Sequence, residues 1–238
     1  MGAYRQYCPI ARASEIMAER WTPLIVRNLM LGAHTFTELA RGVPAMSRSM
    51  LSKRLAELEH VGVVRSEPKP SGRGSTYWLT DAGVDLAAVI HALGEWGERW
   101  VEVTAGHADP GFALWAWCQA QLDRSRLPAG RVVVAFVFHD QPPGNRFYWL
   151  LVEHGDAEVC YSDPGGDPDL VVEAESVAFV DWHRGALSWS VARRDRRIIV
   201  HGPRTLARSV ATWNLHTPVA SIAHAAATTK PQAGGSFL

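Results

Sequence analysis

The sequence predicts an α+β protein with two domains, and three observations support this. Apolar residues recur at helical spacing up to about residue 104, and short apolar runs typical of strands dominate beyond residue 110. The segment 104–110, Thr-Ala-Gly-His-Ala-Asp-Pro, separates the two patterns. We therefore expect one domain over residues 1–104, a second over 110–224, and a flexible tail over 225–238.

Composition excludes several classes of protein. The chain has 238 residues, of which 47% are apolar, so it is neither disordered nor collagen-like. No apolar run approaches the roughly 18 to 20 residues that span a membrane. Glu15, Glu19 and Arg20 interrupt the N-terminal segment, so we expect no signal peptide and a cytoplasmic protein. The three cysteines are far apart and predict neither a disulfide framework nor a CxxC metal site.

Charge is balanced over the whole chain but not locally. The 24 basic and 24 acidic residues give a formal net charge of zero, which argues against nucleic-acid binding at first sight. Residues 41–73 are different, because seven basic side chains face only three acidic ones, a local charge of +4. A basic segment of this kind is a candidate phosphate-binding surface, although many such segments are ordinary solvated faces.

The first domain opens with two predicted helices. The first runs from Pro9 to Met17. In the second, Thr22 is the expected N-cap and Pro23 the first helical residue, where a missing N–H costs nothing. Gly32 ends this helix.

Two further capped helices, joined by a short turn, indicate a helix-turn-helix. Thr35 and Glu38 fit a capping box that opens a short helix before Gly42. Ser47 caps a longer helix over residues 48–60, in which three leucines form a core stripe: Leu51, Leu55 and Leu58.

The polar face of the longer helix carries the candidate DNA-binding residues. Residues in the first turns of a recognition helix are the ones that contact base edges in the major groove. On this helix they are Arg48, Ser49, Ser52, Lys53 and Arg54. Arg54 borders the leucine stripe, so it either braces the domain or contacts a phosphate. The alternative is a helix with an ordinary solvated face.

A β-hairpin follows the candidate recognition helix and is expected to form a wing. Residues 61–67 and 75–79 are predicted strands, and the loop between them is rich in turn residues. Lys69 and Arg73 lie in this loop, where they would contact the DNA backbone or the minor groove. A long helix from Thr80 to about residue 103 is expected to end the domain.

Seven ordered segments of residues 7–103 carry a resemblance to a known family: Cys8–Ile10, Arg20–Ile25, Phe36–Leu39, Ser52–Glu59, Gly62–Val64, Tyr77–Gly83 and Trp96–Trp100. In these segments the sequence resembles the HxlR family of winged-helix transcription regulators. The resemblance implies a homodimer that binds a pseudo-palindromic operator in double-stranded DNA. It also implies that the terminal helices form the dimer interface.

A stripe on the last helix supports the dimer independently. Val89, Leu93, Trp96 and Trp100 follow one another at spacings of 4, 3 and 4 residues. Such a stripe is often plain core. A small winged helix has little core left to cover two tryptophans at its far end, so we interpret the stripe as the dimer interface.

Cys8 has two interpretations. Some relatives of the resembled family use a cysteine in this Cys-Pro position to sense oxidants, quinones or aldehydes. Such sensing requires a partly exposed thiol of lowered pKa, for example at a helix start. The alternative is a small buried apolar residue at the edge of the dimer.

The second domain is predicted to be one mainly antiparallel sheet covered by helices. From Asp169 to Trp213 the order of elements resembles the sterol-carrier-protein-like fold. That resemblance implies an apolar cavity for a lipid or another hydrophobic ligand. Tryptophans could line such a pocket or simply fill the core; those of this domain are Trp115, Trp117, Trp149, Trp182, Trp189 and Trp213.

No sequence motif predicts an enzyme, a metal site or a cofactor. There is no HExxH pattern, phosphate-binding glycine loop or nucleophile elbow. The sequence therefore predicts a homodimeric DNA-binding regulator controlled by a small hydrophobic effector in the second domain. Two alternatives are redox or electrophile sensing through Cys8, and a lipid carrier or enzyme whose winged helix serves assembly.

Overall fold

The structure is a computed structural model that describes residues 4–69 and 73–215. These residues divide into two compact units, one up to residue 101 and the other from residue 102 onward. The expected flexible tail over 225–238 lies outside the described residues. In the described part of the chain, no helix has both the length and the apolar character needed to cross a bilayer.

The first unit contains six helices and a two-stranded hairpin within its described residues. In chain order they are α1 (Pro9–Met17), α2 (Thr22–Met30), α3 (Phe36–Arg41), α4 (Arg48–His60), β1 (Val64–Pro68), β2 (Ser75–Leu79), α5 (Asp81–Asp85) and α6 (Ala87–Trp100). The predicted caps of α3 and α4 are present. Thr35 and Glu38 form the complete capping box, and Ser47 accepts a hydrogen bond from the Met50 backbone N–H. The winged helix-turn-helix is confirmed.

A buried asparagine holds the turn between α3 and α4 in place. The Asn28 side chain donates to the Leu39 carbonyl at 3.5 Å, and its Oδ1 accepts two hydrogen bonds from Arg27. Arg27 also donates to the carbonyl of Gly42 at 3.0 Å. A Cβ at position 42 would lie 2.2 Å from Asn28 Nδ2, so only glycine fits there. This contact fixes where α4 begins relative to α2.

The wing is attached to the helices through β2. β1 and β2 pair antiparallel, with Ser66 opposite Tyr77, and Thr35 adds a bridge to Thr76 on the other edge of β2. The His34 ring stacks on Trp78 with centroids 3.7 Å apart. The entrance to α3 and the wing are therefore one packed assembly.

Two predictions in the first unit are wrong in detail. Helix α2 begins at Thr22, so Trp21 and not Thr22 is its N-cap, and the Thr22 side chain is buried. The expected long helix is two helices that meet at Leu86, and α6 ends at Trp100 because Val101 is extended.

The second unit is one five-stranded sheet with helices. Its elements are α7 (Pro110–Ala116), β3 (Val132–Val137), β4 (Phe147–Glu153), β5 (Asp156–Cys160), β6 (Leu170–Ala174), α8 (Ser176–His183), α9 (Trp189–Arg194), β7 (Ile198–His201) and α10 (Arg204–Ser209). The strand order is β5-β4-β3-β6-β7. All neighbours are antiparallel except β3 and β6. The mainly antiparallel α+β layer is confirmed, and its sterol-carrier-protein-like identity stays a prediction.

The helices of the second unit cover one face of this sheet, and aromatic rings fill the space between them. Trp117 packs edge-on against Trp182 with centroids 5.2 Å apart, and Phe179 lies 5.5 Å from Phe136. Trp213, from the end of the described chain, is also fully buried in this core. The tryptophans on this side of the sheet are therefore mainly core residues.

The sequence predicts a mostly apolar helix over residues 112–122 and a final helix that reaches Trp213, and both helices are shorter in the structure. α7 ends at Ala116 and continues as a π-helical turn, Trp117–Gln121, where a helix up to Leu122 was expected. α10 ends at Ser209 and is followed by a 3₁₀ turn that ends before Trp213.

Replacing Gly42 with alanine is expected to destabilise the protein by about 1–3 kcal/mol, because the new methyl group overpacks the buried Asn28 amide. Gly130→Ala is the matched control, since open space surrounds Gly130 and its backbone φ is not in the left-handed region. Urea unfolding followed by tryptophan fluorescence measures both changes. Equal stability of the two variants would contradict this account of the turn.

Candidate nucleic-acid interface

Helix α4 separates an apolar face from an exposed polar face. Leu51, Leu55 and Leu58 are each at most 2% exposed and pack into the unit. The predicted residues Arg48, Ser49, Ser52 and Lys53 are all exposed and lie in the first two turns. The structure therefore places four of the five predicted helix residues at the surface of one helix end.

The two exposed cations of α4, Arg48 and Lys53, make different contacts. The Arg48 guanidinium lies 5.2 Å from the centre of the Phe36 ring, which ties it to the start of α3. The Lys53 side chain is 76% exposed and has only a loose ion pair with Glu57, at 3.9 Å. Both can reach a phosphate or a base edge without losing a buried partner.

Arg54 has the bracing role that its position beside the leucine stripe allowed. Its side chain is only 14% exposed. Its Nη2 donates to Glu19 at 2.7 Å, and its Nη1 lies 2.8 Å from a carboxylate oxygen of Glu57. These ion pairs connect α4 to the segment between α1 and α2 and give both acidic side chains a cationic partner.

An open groove runs beside this face and includes residues that the sequence patterns did not single out. It has a volume of about 510 Å³ and lies between the turn before α2 and the outer side of α4. Arg20 and Trp21 line one wall, and the Arg20 guanidinium lies 5.0 Å from the centre of the Trp21 ring. Met50 and Lys53 line the other. The signal for Met50 was available, because it is an apolar residue out of phase with the leucine stripe.

The wing presents its own cations. Arg73 is exposed and Lys69 is partly exposed, at the two ends of the loop whose residues 70–72 are not described. Arg65 on β1 is ion-paired with Glu67 and lies 5.9 Å from the Trp78 ring centre. Burial raises the pKa of the nearby Tyr77 hydroxyl, and the Glu59 carboxylate raises it further.

A second surface, the predicted stripe on α6, is exposed and apolar. Trp96 is 58% exposed and Trp100 is 69% exposed, while Val89 and Leu93 are each about half exposed. Every residue of α1 is also at least partly exposed, and Ile10 is mostly so. Large exposed apolar patches on soluble proteins mark interaction sites.

Cys8 is partly exposed and occupies the N-cap position of α1. Its carbonyl accepts the Arg12 backbone N–H at 3.1 Å, and its side chain makes no cap hydrogen bond. Cys118 in the second unit is buried, and burial raises the pKa of its thiol to about 12, which keeps it protonated and unreactive.

A capped, exposed basic helix followed by a wing defines a DNA-binding transcription regulator of the helix-turn-helix class. The chain belongs to the HxlR-like helix-turn-helix family, whose model matches residues 16–105. YvaP of Bacillus subtilis, an uncharacterised HTH-type transcriptional regulator, is 35% identical over 99 residues, which are 41% of this chain and 92% of YvaP. The HTH-type transcriptional regulator YodB of B. subtilis is 33% identical over 97 residues, 40% of this chain and 87% of YodB.

Solved structures match a similar share of the chain. The reduced form of YodB is 31% identical, has a TM-score of 0.36, and covers 41% of this chain and 97% of that one. The family match ends before β3, so it describes the first unit and leaves the second to be understood from its own structure.

Arg54→Ala is expected to cost about 1–3 kcal/mol of stability, because Glu19 loses a charged hydrogen-bond partner and Glu57 loses its short ion pair in a partly buried site. Lys53→Ala is the matched control on the same helix, and its exposed pair should contribute at most about 0.5 kcal/mol. Thermal and urea unfolding of the two variants give the comparison. If Lys53→Ala were the more destabilising change, the bracing role of Arg54 would be refuted.

Proposed function

We propose that this regulator is a homodimer that binds operator DNA through α4 and the wing, and that a small hydrophobic effector in the second unit controls it. The observation that carries the proposal is the exposed face of α4, where Arg48, Ser49, Ser52 and Lys53 stand opposite a buried leucine stripe. Arg54 is left out of the DNA contacts, because two carboxylates already occupy its guanidinium.

The exposed side chains of α4 and the wing are suited to different contacts with DNA. Arg48 has the geometry to form two hydrogen bonds with guanine in the major groove, and the serine hydroxyls bond to bases or phosphates. Lys53 is a flexible point charge suited to a phosphate. Lys69 and Arg73 extend the interface to the flanking backbone, which sets the register of the protein on the duplex.

DNA binding is expected to weaken steeply as salt rises, with affinity falling on a logarithmic plot in proportion to the number of phosphates neutralised. Fluorescence anisotropy with a pool of random duplexes measures the slope. Arg48→Ala combined with Lys53→Ala should reduce affinity at least about tenfold and make the slope shallower by about 1 for each phosphate that is no longer neutralised. Arg131→Ala is the control, since it removes a half-exposed cation of the second unit.

The lipid-carrier or enzyme alternative makes the opposite prediction for this experiment. A winged helix used only for assembly would show no salt-dependent affinity for DNA. Such a result would refute the proposed function.

We assign the dimer interface to the exposed apolar stripe of α6. A monomer would leave the four apolar side chains of this stripe in water, at a cost of about 25 cal/mol for each Å². A second copy of the same stripe is the symmetric way to cover them.

Changing Trp96 and Trp100 together to serine is expected to raise the dimer dissociation constant at least about thirtyfold, the scale of one hot-spot residue. Sedimentation of the 26.2 kDa chain distinguishes monomer from dimer. Phe147→Ser, at a half-exposed aromatic residue of the second unit, is the control. A double variant that remained as dimeric as the parent would place the interface elsewhere.

We assign the effector to the second unit for two reasons. The family model and the relatives match only the first unit, and the second unit adds an apolar sheet covered by helices. Its sterol-carrier-protein-like character belongs to the same proposal. One buried group favours a ligand with an oxygen acceptor. The indole Nε1 of Trp189 is buried but has no hydrogen-bond partner among the described residues, and its ring lies 4.7 Å from that of Trp182.

The tightly packed core constrains how such an effector acts. Rings occupy the space beneath the sheet, so a ligand enters by displacing side chains near Trp189 and shifts the equilibrium between two arrangements of the unit. The effector binds the two arrangements with different affinity. This difference is the free energy that would couple effector binding in the second unit to the operator affinity of the first.

Mass spectrometry of the full chain under native conditions is expected to detect a bound apolar molecule, and stripping it should change operator affinity. Trp189→Phe should lower the affinity for the retained ligand about tenfold. This is the scale of one hydrogen bond whose removal leaves a polar group unpaired. If no apolar molecule changed operator affinity, effector control through this unit would be refuted.

Redox control through Cys8 is the second candidate, favoured by the partial exposure of its thiol at the start of α1. The same affinity measurement separates the two candidates. Cys8→Ser should abolish a response to diamide if Cys8 is the sensor, and should leave the response to an apolar effector intact.

A further inference from the structure

The groove beside α4 contains one side chain that neither the core nor the proposed DNA contacts explain. Met50 is 47% exposed and lies in the first turn of the helix. Its position is fixed, because the Met50 backbone N–H donates to the capping hydroxyl of Ser47 at 3.2 Å. A large apolar side chain is therefore held outward among polar neighbours, at the helix end that is proposed to contact bases.

The charges around Met50 select the kind of partner that the groove accepts. Exposed cations stand on both walls, Arg20 on one and Lys53 on the other. The acidic residues of the groove, Glu19 and Glu57, are both ion-paired with Arg54 and so repel an anionic partner less. A cationic ligand finds no unpaired carboxylate among the groove residues, whereas a phosphate strand finds two cations.

The chemistry of Met50 then selects one feature of that strand. The edge of a base pair in the major groove is polar except for the C5-methyl group of thymine, which accepts an apolar contact. The methionine side chain is unbranched and polarisable, so it adapts to such a methyl group at low cost. Its neighbour Ser49, also in the groove, can hydrogen-bond an adjacent base edge or phosphate.

We propose that Met50 is a specificity-determining residue that contacts the methyl group of a thymine in each half-site, with Arg20 and Lys53 holding the backbone on either side. The assignment rests on the proposed DNA-binding function and adds the base preference to it. It predicts a thymine requirement that the arginine, lysine and serine residues of α4 do not themselves impose.

Replacing thymine by deoxyuridine tests the contact directly, because this change removes only the methyl group. Duplexes are first selected from a random pool with the full-length protein, and each dT of the selected sequence is then replaced singly by dU. The parent protein should lose about three- to fivefold in affinity at one position in each half-site, the scale of burying one methyl group.

Variants at position 50 supply the decisive comparison. Met50→Ala should bind the dT and dU duplexes equally at that position, and Met50→Leu should keep most of the preference. Ala56→Ser, also at an exposed position of α4, is the control and should leave the dT-to-dU profile unchanged. Because Met50 contributes little to the core, unfolding curves of the variants should match that of the parent.

The outcomes separate this inference from the function on which it rests. If Met50→Ala binds DNA and shows the same dT-to-dU profile as the parent, the role of Met50 is overturned while DNA binding stands. If the parent protein binds no duplex at any salt concentration, the proposed function is overturned and this inference with it.

Discussion

The contact between the Asn28 amide and the backbone of Gly42 is the constraint on which the DNA-binding unit depends. Asn28 is fully buried and hydrogen-bonded to Leu39, and Arg27 joins it to the Gly42 carbonyl. These bonds fix the end of α3 against α2, and α4 starts after the short turn that follows, at Arg48. A buried polar network of this kind specifies one geometry, because each unsatisfied member would cost about 1–3 kcal/mol. The direction of α4 is therefore set from inside the unit.

Charge acts in two different ways on the same helix. Arg54 uses its charge inside the unit, where it pairs with Glu19 and Glu57, whereas Arg48 and Lys53 keep theirs at the surface. Because Arg54 offsets part of the charge of these two carboxylates, they oppose a phosphate strand less. A chain of zero net charge can therefore still present cations on one face.

The two units differ in how far they bury their aromatic side chains. The second unit buries its aromatic residues beneath a five-stranded sheet, with Trp117, Trp182 and Trp213 fully enclosed. The first unit leaves Trp96 and Trp100 more than half exposed. The closed core is why the proposed effector would have to displace side chains, and the open stripe is the surface that the proposed dimer would cover.

The sequence by itself determined the features that depend on near neighbours in the chain. Helix caps at Thr35 and Ser47, the leucine stripe of α4 and the strands of the second sheet follow from spacings of two to four residues, and the structure confirms them. The helix-turn-helix class followed from the order of these elements. Only the tertiary structure decided which partners meet across long separations: Arg54 with Glu19, Asn28 with Gly42, and β3 beside β6. Those pairings depend on how elements pack in space, because local spacing carries no information about a partner 35 residues away. The ion pairs of Arg54 and the groove at Met50 are therefore visible only in the folded chain.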